Sequence, residues 1–341
     1  MRRRKKILKA LITIIVILLV IIVAATGTAF WYIRNKVNLM NQVKINENGL
    51  EISDNKNLQE YRNIAIFGID SRSDDYGKGN RSDCIIIASI NKKTHDVKLI
   101  SVYRDTYVQI EGYGLDKITH AYSYGEAPLA IKTLNTNLDL NISEFVTVNF
   151  DSVAEVVDAL GGININITSE EVQYINNYIN ETSKVTGKKS NHITEAGNYN
   201  LDGVQAVAYS RIRYTAGGDY KRTERMRIVI EAMVEKIKTK SISEINTIIN
   251  KILPQVYTNL SLIDLFTMVP SVATFNICKS IGWPYETKGS TINGVWYGVP
   301  TTLESNVVKM HKEIFNNSEY VASLQIKTIS NKIINKTGYN I

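Results

Sequence analysis

NIAIFGIDSRSDDYGKGNRSDCIIIASINKKTHDVKLISVYRD, residues 63–105, places three short apolar runs between polar connections. Asn63 to Asp70, Cys84 to Ile90 and Val97 to Tyr103 are rich in β-branched residues and too short for core helices, so each predicts a buried strand. Connections of this length fit an up, down, up meander. That topology gathers Asp70 at the exit of the first strand, Arg81 and Asp83 at the entry of the second, and Arg104 and Asp105 at the exit of the third. All five then share one rim of the sheet.

Further along, APLAIKTLNTNL and SVAEVVDAL have helical periodicity, and Gly161 and Gly162 stop the second. FVTVNF and ININIT read as strands beside them. Strands interleaved with helices predict an α/β fold, a single domain whose central mixed sheet is flanked by helices on both faces.

A second concentration of charge lies in YSRIRYTAGGDYKRTERMR, Tyr209 to Arg227. Asp202 with Gln205 three residues on predicts a capped helix before it. Extended geometry in RIR would put Arg211 and Arg213 on one face. After the TAGGD turn, Asp219 is the expected cap of a helix whose apolar face is Met226, Val229, Ile230, Met233 and Ile237, with Arg222 and Arg225 in or near its first turns. Cations at a helix N-terminus work against the macrodipole by a few tenths to ~1 kcal/mol each. A bound anion reverses that penalty, because free backbone N–H groups and guanidinium forks both favour it. Asp70 and Asp83 are candidate ligands for a hard divalent cation, since magnesium is commonly held by one or two carboxylates together with phosphate oxygens and water. Carboxylates facing an arginine cluster suit a di- or triphosphate ester, with a remaining carboxylate to take a proton from an attacking hydroxyl.

The net charge of +7 belongs mostly to the N-terminus, where MRRRKKILK supplies six cations. The remainder is close to neutral, which argues against a nucleic-acid partner. Ala10 to Ile33 contains no charged residue, and at ~1.5 Å per residue it is long enough to cross a bilayer. Residues 10–33 are therefore expected to form a transmembrane helix with residues 1–9 as a cytoplasmic tail, because positive flanks stay inside. The alternative of a cleaved signal peptide fits poorly with so long an apolar run. Residues 34–60, polar and rich in Asn, read as an extracellular stalk, and residues 61–341 as one extracellular domain. Two cysteines, Cys84 and Cys278, are too few for a disulfide scaffold. The four histidines have no metal-ligand spacing, and neither a GxSxG elbow nor a Walker A loop occurs.

With these motifs in order, NIAIFGIDSR, RSDCIIIASINKKTHDVKLISVYRDTYV, KITHAYSYGEAPLAIKTL, VDALGGI and LDGVQAVAYSRIRYTAGGDYKRTERM, the chain resembles the LytR-CpsA-Psr family of bacterial envelope proteins. The resemblance implies an apolar tunnel for a polyprenyl lipid and magnesium-assisted transfer of a glycopolymer, such as wall teichoic acid or capsule, from a polyprenyl pyrophosphate carrier to peptidoglycan. It implies Asp70 and Asp83 as metal-associated aspartates, and Arg81, Arg104, Arg211, Arg213, Arg222 and Arg225 as pyrophosphate ligands. Asp70, Arg81, Arg104, Asp105 and Asp219 are its catalytic candidates, with Asp219 positioning or deprotonating and Asp105 equally able to orient an arginine. Two positions depart from the family pattern: Tyr103 replaces the usual Pro, and Met226 the usual Gln. A lipid-phosphate-binding regulator and a pyrophosphatase that uses water are the competing expectations.

Overall fold

A computed structural model describes residues 41–71, 76–261, 264, 268 and 271–340. A two-residue strand, β1 (Asn41–Gln42), precedes the three predicted strands, β2 (Tyr61–Ile69), β3 (Ser82–Asn91) and β4 (Asp96–Val102). β2 and β3 are antiparallel, as are β3 and β4, with Ile66 opposite Ile86 and Ile87 opposite Ile100. The meander read from the sequence is therefore the centre of the sheet. Alternation sends Ala65, Phe67 and Ile69 to one face and Ile64 and Ile66 to the other. Gly68 meets Cys84 so closely that a Cβ on it would sit 2.8 Å from the Cys84 Cβ, and the register shifts at the next residue.

A hairpin of β5 (Tyr107–Ile110) and β6 (Gly114–Lys117) leads into α1 (Ile118–Leu138). That helix is longer than the predicted 127–138 and is broken at Gly125 and Glu126, whose φ/ψ are not helical. Pro128 follows the break, in a first turn where its missing N–H leaves no bond unmade. β7 (Glu144–Val148) adds parallel to β2, and α2 (Phe150–Leu160) starts at once because the Asn149 side chain accepts from the Ser152 amide. The run that predicts a strand through Phe150 thus ends two residues early.

β8 (Ile163–Ile167), α3 (Ser169–Thr186), β9 (Gly197–Leu201), α4 (Gly203–Arg211), α5 (Gly218–Lys238) and α6 (Ile242–Ile252) form the next stretch. β8, read from the sequence as a strand, lies outside the main sheet. It pairs with β9 in a separate ribbon, burying Ile163, Ile165 and Ile167 against the neighbouring helices while its asparagines face out. β10 (Tyr257–Thr258), β11 (Asn276–Trp283), β12 (Thr287–Ile292), β13 (Val295–Pro300), α7 (Leu303–Ile314) and α8 (Leu324–Thr337) complete the described fold. Among the described residues the main sheet has the order β1-β10-β7-β2-β3-β4-β11 with mixed directions, and β12 and β13 form their own hairpin. One face packs on α1, α7 and α8 through Tyr122, Leu134, Met310 and Ile326, and the other on α5 through Met226 and Ile230.

The expected membrane helix at 10–33, its tail at 1–9 and the first part of the stalk lie outside the described residues. No described helix is long and apolar enough to cross a membrane. From Asn41 onward the expected stalk is instead part of the fold. Leu50 is 2 % exposed and Leu58 fully buried in the larger core, and the Asn135 amide donates to the Leu50 carbonyl at 2.8 Å. The asparagines that make this segment look like a linker are turn caps: Asn46 and Asn55 accept from the backbone two residues on. Replacing Leu58 by Ala is expected to destabilise the protein by about 2–5 kcal/mol in denaturant unfolding; an unchanged midpoint would return this segment to the status of a tether.

Candidate active site

The rim where β2 ends and β3 begins carries a carboxylate surrounded by guanidinium groups. Arg104, just beyond β4, donates from Nη1 to Asp83 Oδ1 at 2.7 Å. Arg213 Nη2 lies 3.6 Å from Asp83 Oδ2 and Arg222 Nη1 lies 3.9 Å from the same oxygen. Asp219 closes the group: its Oδ1 is 2.9 Å from Arg222 Nη2, 3.9 Å from Arg213 Nε and 4.0 Å from Arg104 Nε. Asp219 is not the helix cap that the sequence predicts. Gly217, with φ of 92°, occupies that position, and Asp219 sits in the first turn, where a negative charge suits the macrodipole and its carboxylate reaches the arginines. Asp202 does cap α4, with Gln205 completing the reciprocal pair.

Arg222 is 2 % exposed, and its Nε has no hydrogen-bond partner among the described residues. Burial lowers its proton affinity; Asp219 raises it, Arg213 and Arg104 lower it further, and Asp83 works the other way. Guanidinium stays charged under all ordinary conditions, so this direction measures a cation held in a place that disfavours it. For Arg104, burial acts the same way but is outweighed by Asp83, Asp105 and Asp219, leaving its affinity raised. The Arg104 Nε also lacks a hydrogen-bond acceptor among the described residues, although Asp105 lies 3.5 Å away. Asp105 is meanwhile held at 2.8 Å by Lys117, a partner for which the sequence offered no pattern. Orphaned buried donors on crowded cations describe a receptor for an anion richer in oxygens than the carboxylates present.

The remaining predicted residues divide. Asp70, exposed at the end of β2, and Arg211 line the same polar cavity of about 360 Å³ as Asp83, Arg213 and Arg222. Arg211 leaves the end of α4, contacts Glu181 at 3.3 Å and stacks over Phe150 and Tyr178. Arg81 is exposed just before β3. Arg225 corrects the expectation for it: its guanidinium is 5 % exposed and turned away, bonded to Glu171 at 2.7 Å, to the Ile212 carbonyl at 3.1 Å and to Thr215 at 2.7 Å. Spacing put it on the same helix, but three positions after Arg222 it faces the loop that carries Arg213, and clamps it. Cys84 and Cys278 are both free, and burial pushes the Cys84 thiol up to about 12.

Beside the polar cavity is an apolar one of about 240 Å³, lined by Ile66, Val153, Val207, Val229 and Met233 among others. The two share Asp83, Phe150 and Met226. Its α5 wall is the stripe that the sequence marks as an ordinary core face; periodicity identifies an apolar face but does not say whether the opposing side chains fill the space against it. Among the described residues no three acidic, His or Cys side chains come together as a ready metal site. Asp70 and Asp83 on one cavity wall still suit a hard cation that draws its other oxygens from a ligand and water.

This pairing of a cationic rim and a greasy cavity coincides with a sequence match. A profile described as the LytR_cpsA_psr family covers residues 28–314. The chain belongs to that family. A polyisoprenyl-teichoic acid–peptidoglycan teichoic acid transferase, TagU of Enterococcus faecalis, is 35% identical over 62% of this chain and 65% of its own length, so the match spans just under two thirds of that relative. In three dimensions the chain resembles TagT bound to LI-WTA, with a TM-score of 0.58 and 26% identity over 84% of this chain and 94% of the other. It also resembles TagT with bound octaprenyl pyrophosphate lipid, with a TM-score of 0.54 and 25% identity over the same shares.

Tyr103 and Met226, where the resemblance leads one to expect Pro and Gln, both have structural accounts. Met226 lies at the junction of the two cavities, where an apolar side chain extends the greasy wall. Tyr103 lays its ring edge-on to Tyr220 at 4.5 Å and over Gly282, where a Cβ would lie 1.9 Å from the phenolic oxygen. Gly282→Ala is therefore expected to cost about 1–3 kcal/mol in thermal unfolding, and Tyr103→Ala in the same chain to recover most of it. Arg225→Ala is expected to cost about 3–5 kcal/mol by leaving Glu171 buried and unpaired. An Arg225→Ala protein of normal stability that had lost only ligand binding would restore Arg225 to the anion site.

Proposed function

We propose that this chain is a membrane-anchored phosphotransferase that moves a glycopolymer of the wall teichoic acid kind from a polyprenyl pyrophosphate carrier to a hydroxyl of peptidoglycan. The observation that carries the reading is the shared wall of the two cavities, Asp83, Phe150 and Met226, which brings an apolar space of about 240 Å³ against an arginine cluster whose buried Nε donors lack partners among the described residues. The names of the relatives, which act on teichoic acid and bind polyprenyl pyrophosphate, support it. Residues 10–33 serve as the anchor, with the N-terminus in the cytoplasm and the domain outside.

Arg104, Arg213 and Arg222 hold the diphosphate, with Arg211 and the exposed Arg81 at its edge. Because Arg104 and Arg222 are already in place and largely withdrawn from water, they stabilise charge on the departing lipid phosphate without reorganising. Asp70 and Asp83 would hold magnesium, which supplies further neutralisation of phosphate oxygens. An acceptor oxygen bonds to the sugar-bearing phosphorus while its bond to the bridging oxygen breaks. Polyprenyl phosphate leaves with that electron pair, and a carboxylate on the acceptor side, Asp105 or Asp219, takes the hydroxyl proton.

The test is turnover of a synthetic polyprenyl-pyrophosphate disaccharide by the purified full chain, with peptidoglycan fragments as acceptor. Arg222→Ala is expected to lower kcat by about 10²–10³, and EDTA to abolish transfer. Full turnover in Arg104→Ala and Arg222→Ala would refute the site, and release of lipid phosphate with no acceptor adduct would make the protein a hydrolase.

A further inference from the structure

A third cavity, of about 230 Å³, opens on the other side of Asp219 and shares no lining residue with the apolar one. Its walls include Tyr103, Tyr220 and Trp296, with Thr287, Asp105 and Asp219 as polar members. The aromatic members are not core residues. Trp296 is 47 % and Tyr220 41 % exposed, so large rings face an opening lined by two carboxylates. Gly289 lets Trp296 lie close across the β12–β13 hairpin, since a Cβ there would approach the indole nitrogen to 3.1 Å. The hairpin is tied to the catalytic rim by the Gly298 amide, which donates to the Asp105 carbonyl at 2.9 Å, and Tyr220 reaches Thr287 across the cavity at 3.3 Å.

We propose that this cavity is the subsite for the acceptor sugar, a pyranose of the glycan strand stacked on Trp296 and Tyr220. The inference rests on the transferase reading above. Aromatic faces with a few convergent polar groups suit a ring that is apolar on its faces and hydroxylated at its edge. The order of residues along α5 sets the direction of the reaction. Asp219 and Tyr220 line this cavity, Arg222 follows, and Met226, Val229, Ile230 and Met233 line the apolar cavity. At 1.5 Å per residue, Met226 is about 10 Å further along the axis than Asp219. Residues lining the acceptor cavity, the buried Arg222 and residues lining the apolar cavity thus follow one another along one helix.

A sugar on the donor could stack on the same rings, and the carboxylates decide between the two. An acceptor hydroxyl must lose a proton, whereas the donor sugar loses none. Asp219 lines this cavity with its side chain 33 % exposed, against 16 % for Asp105, and its three arginines make their closest approach at Oδ1, so Asp219 is assigned that proton. Both oxygens of Asp105 are engaged, by Lys117 and Arg104. The acceptor O–H bond breaks with its proton on Asp219, the oxygen bonds to the sugar-bearing phosphorus, and polyprenyl phosphate departs with the electrons of the broken P–O bond.

The experiment uses the full chain in detergent, a polyprenyl-pyrophosphate disaccharide as donor and an uncrosslinked GlcNAc–MurNAc oligosaccharide as acceptor. Trp296→Ala is expected to raise the acceptor KM about three- to tenfold while the donor KM holds, and Trp296→Phe to recover most of the loss. An unchanged acceptor KM, or a rise confined to the donor KM, overturns the assignment. Saturation-transfer NMR with the oligosaccharide alone separates this inference from the function it rests on. Binding that Trp296→Ala abolishes sustains the subsite even where no transfer is seen, and absence of binding to the unaltered protein, or binding indifferent to Trp296, overturns it.

Discussion

Asp83 cannot neutralise the cations gathered on it. Its two oxygens face Arg104, Arg213 and Arg222, which arrive from the end of β4, the loop after α4 and the first turns of α5. Asp219 supplies a second negative charge and Asp105 a third, shared with Lys117, yet Nε of both Arg104 and Arg222 is without a hydrogen bond among the described residues. Bringing such groups together costs desolvation and mutual repulsion; the neighbouring carboxylates outweigh burial for Arg104 but not for Arg222. A site that remains short of negative oxygen in its folded state is arranged for a ligand, and the adjoining apolar cavity limits which anion meets both requirements.

Most of this frame was legible because it depends on local rules. Apolar runs of seven or eight residues gave the meander, and the meander gave the rim on which Asp70, Asp83, Arg104 and Asp105 stand. Capping rules placed α4, and the spacing of Met226, Val229, Ile230 and Met233 gave the buried face of α5. Three-dimensional packing decided what these rules leave free. Arg222 and Arg225 look alike in sequence, yet one faces the rim and the other answers the buried Glu171 of α3. β8 has the pattern of a sheet member and pairs instead with β9. Leu50 and Leu58 are sparse in a polar segment, and two well-placed leucines suffice to bind it to the core. Lys117, Trp296 and Tyr220 lacked any pattern, since their roles come from contacts across long separations.

Tyr103 and Gly282 show how the backbone beside Arg104 is held in this chain. A proline there restrains the chain by its own ring. Tyr103 is restrained by neighbours, through its amide to the Trp283 carbonyl at 2.9 Å and its ring against Tyr220 and Gly282. Arg104 is bonded to Asp83, and Tyr103 forms an aromatic wall of the third cavity.

Calorimetric titration of the protein with geranylgeranyl pyrophosphate, set beside inorganic pyrophosphate and geranylgeraniol, tests most directly whether the arginine cluster and the apolar cavity form one receptor. The account predicts that the joined molecule binds far more tightly than either part, and that high salt weakens it without eliminating the apolar contribution. Equal affinity for pyrophosphate alone, or binding insensitive to loss of Arg222, would contradict it.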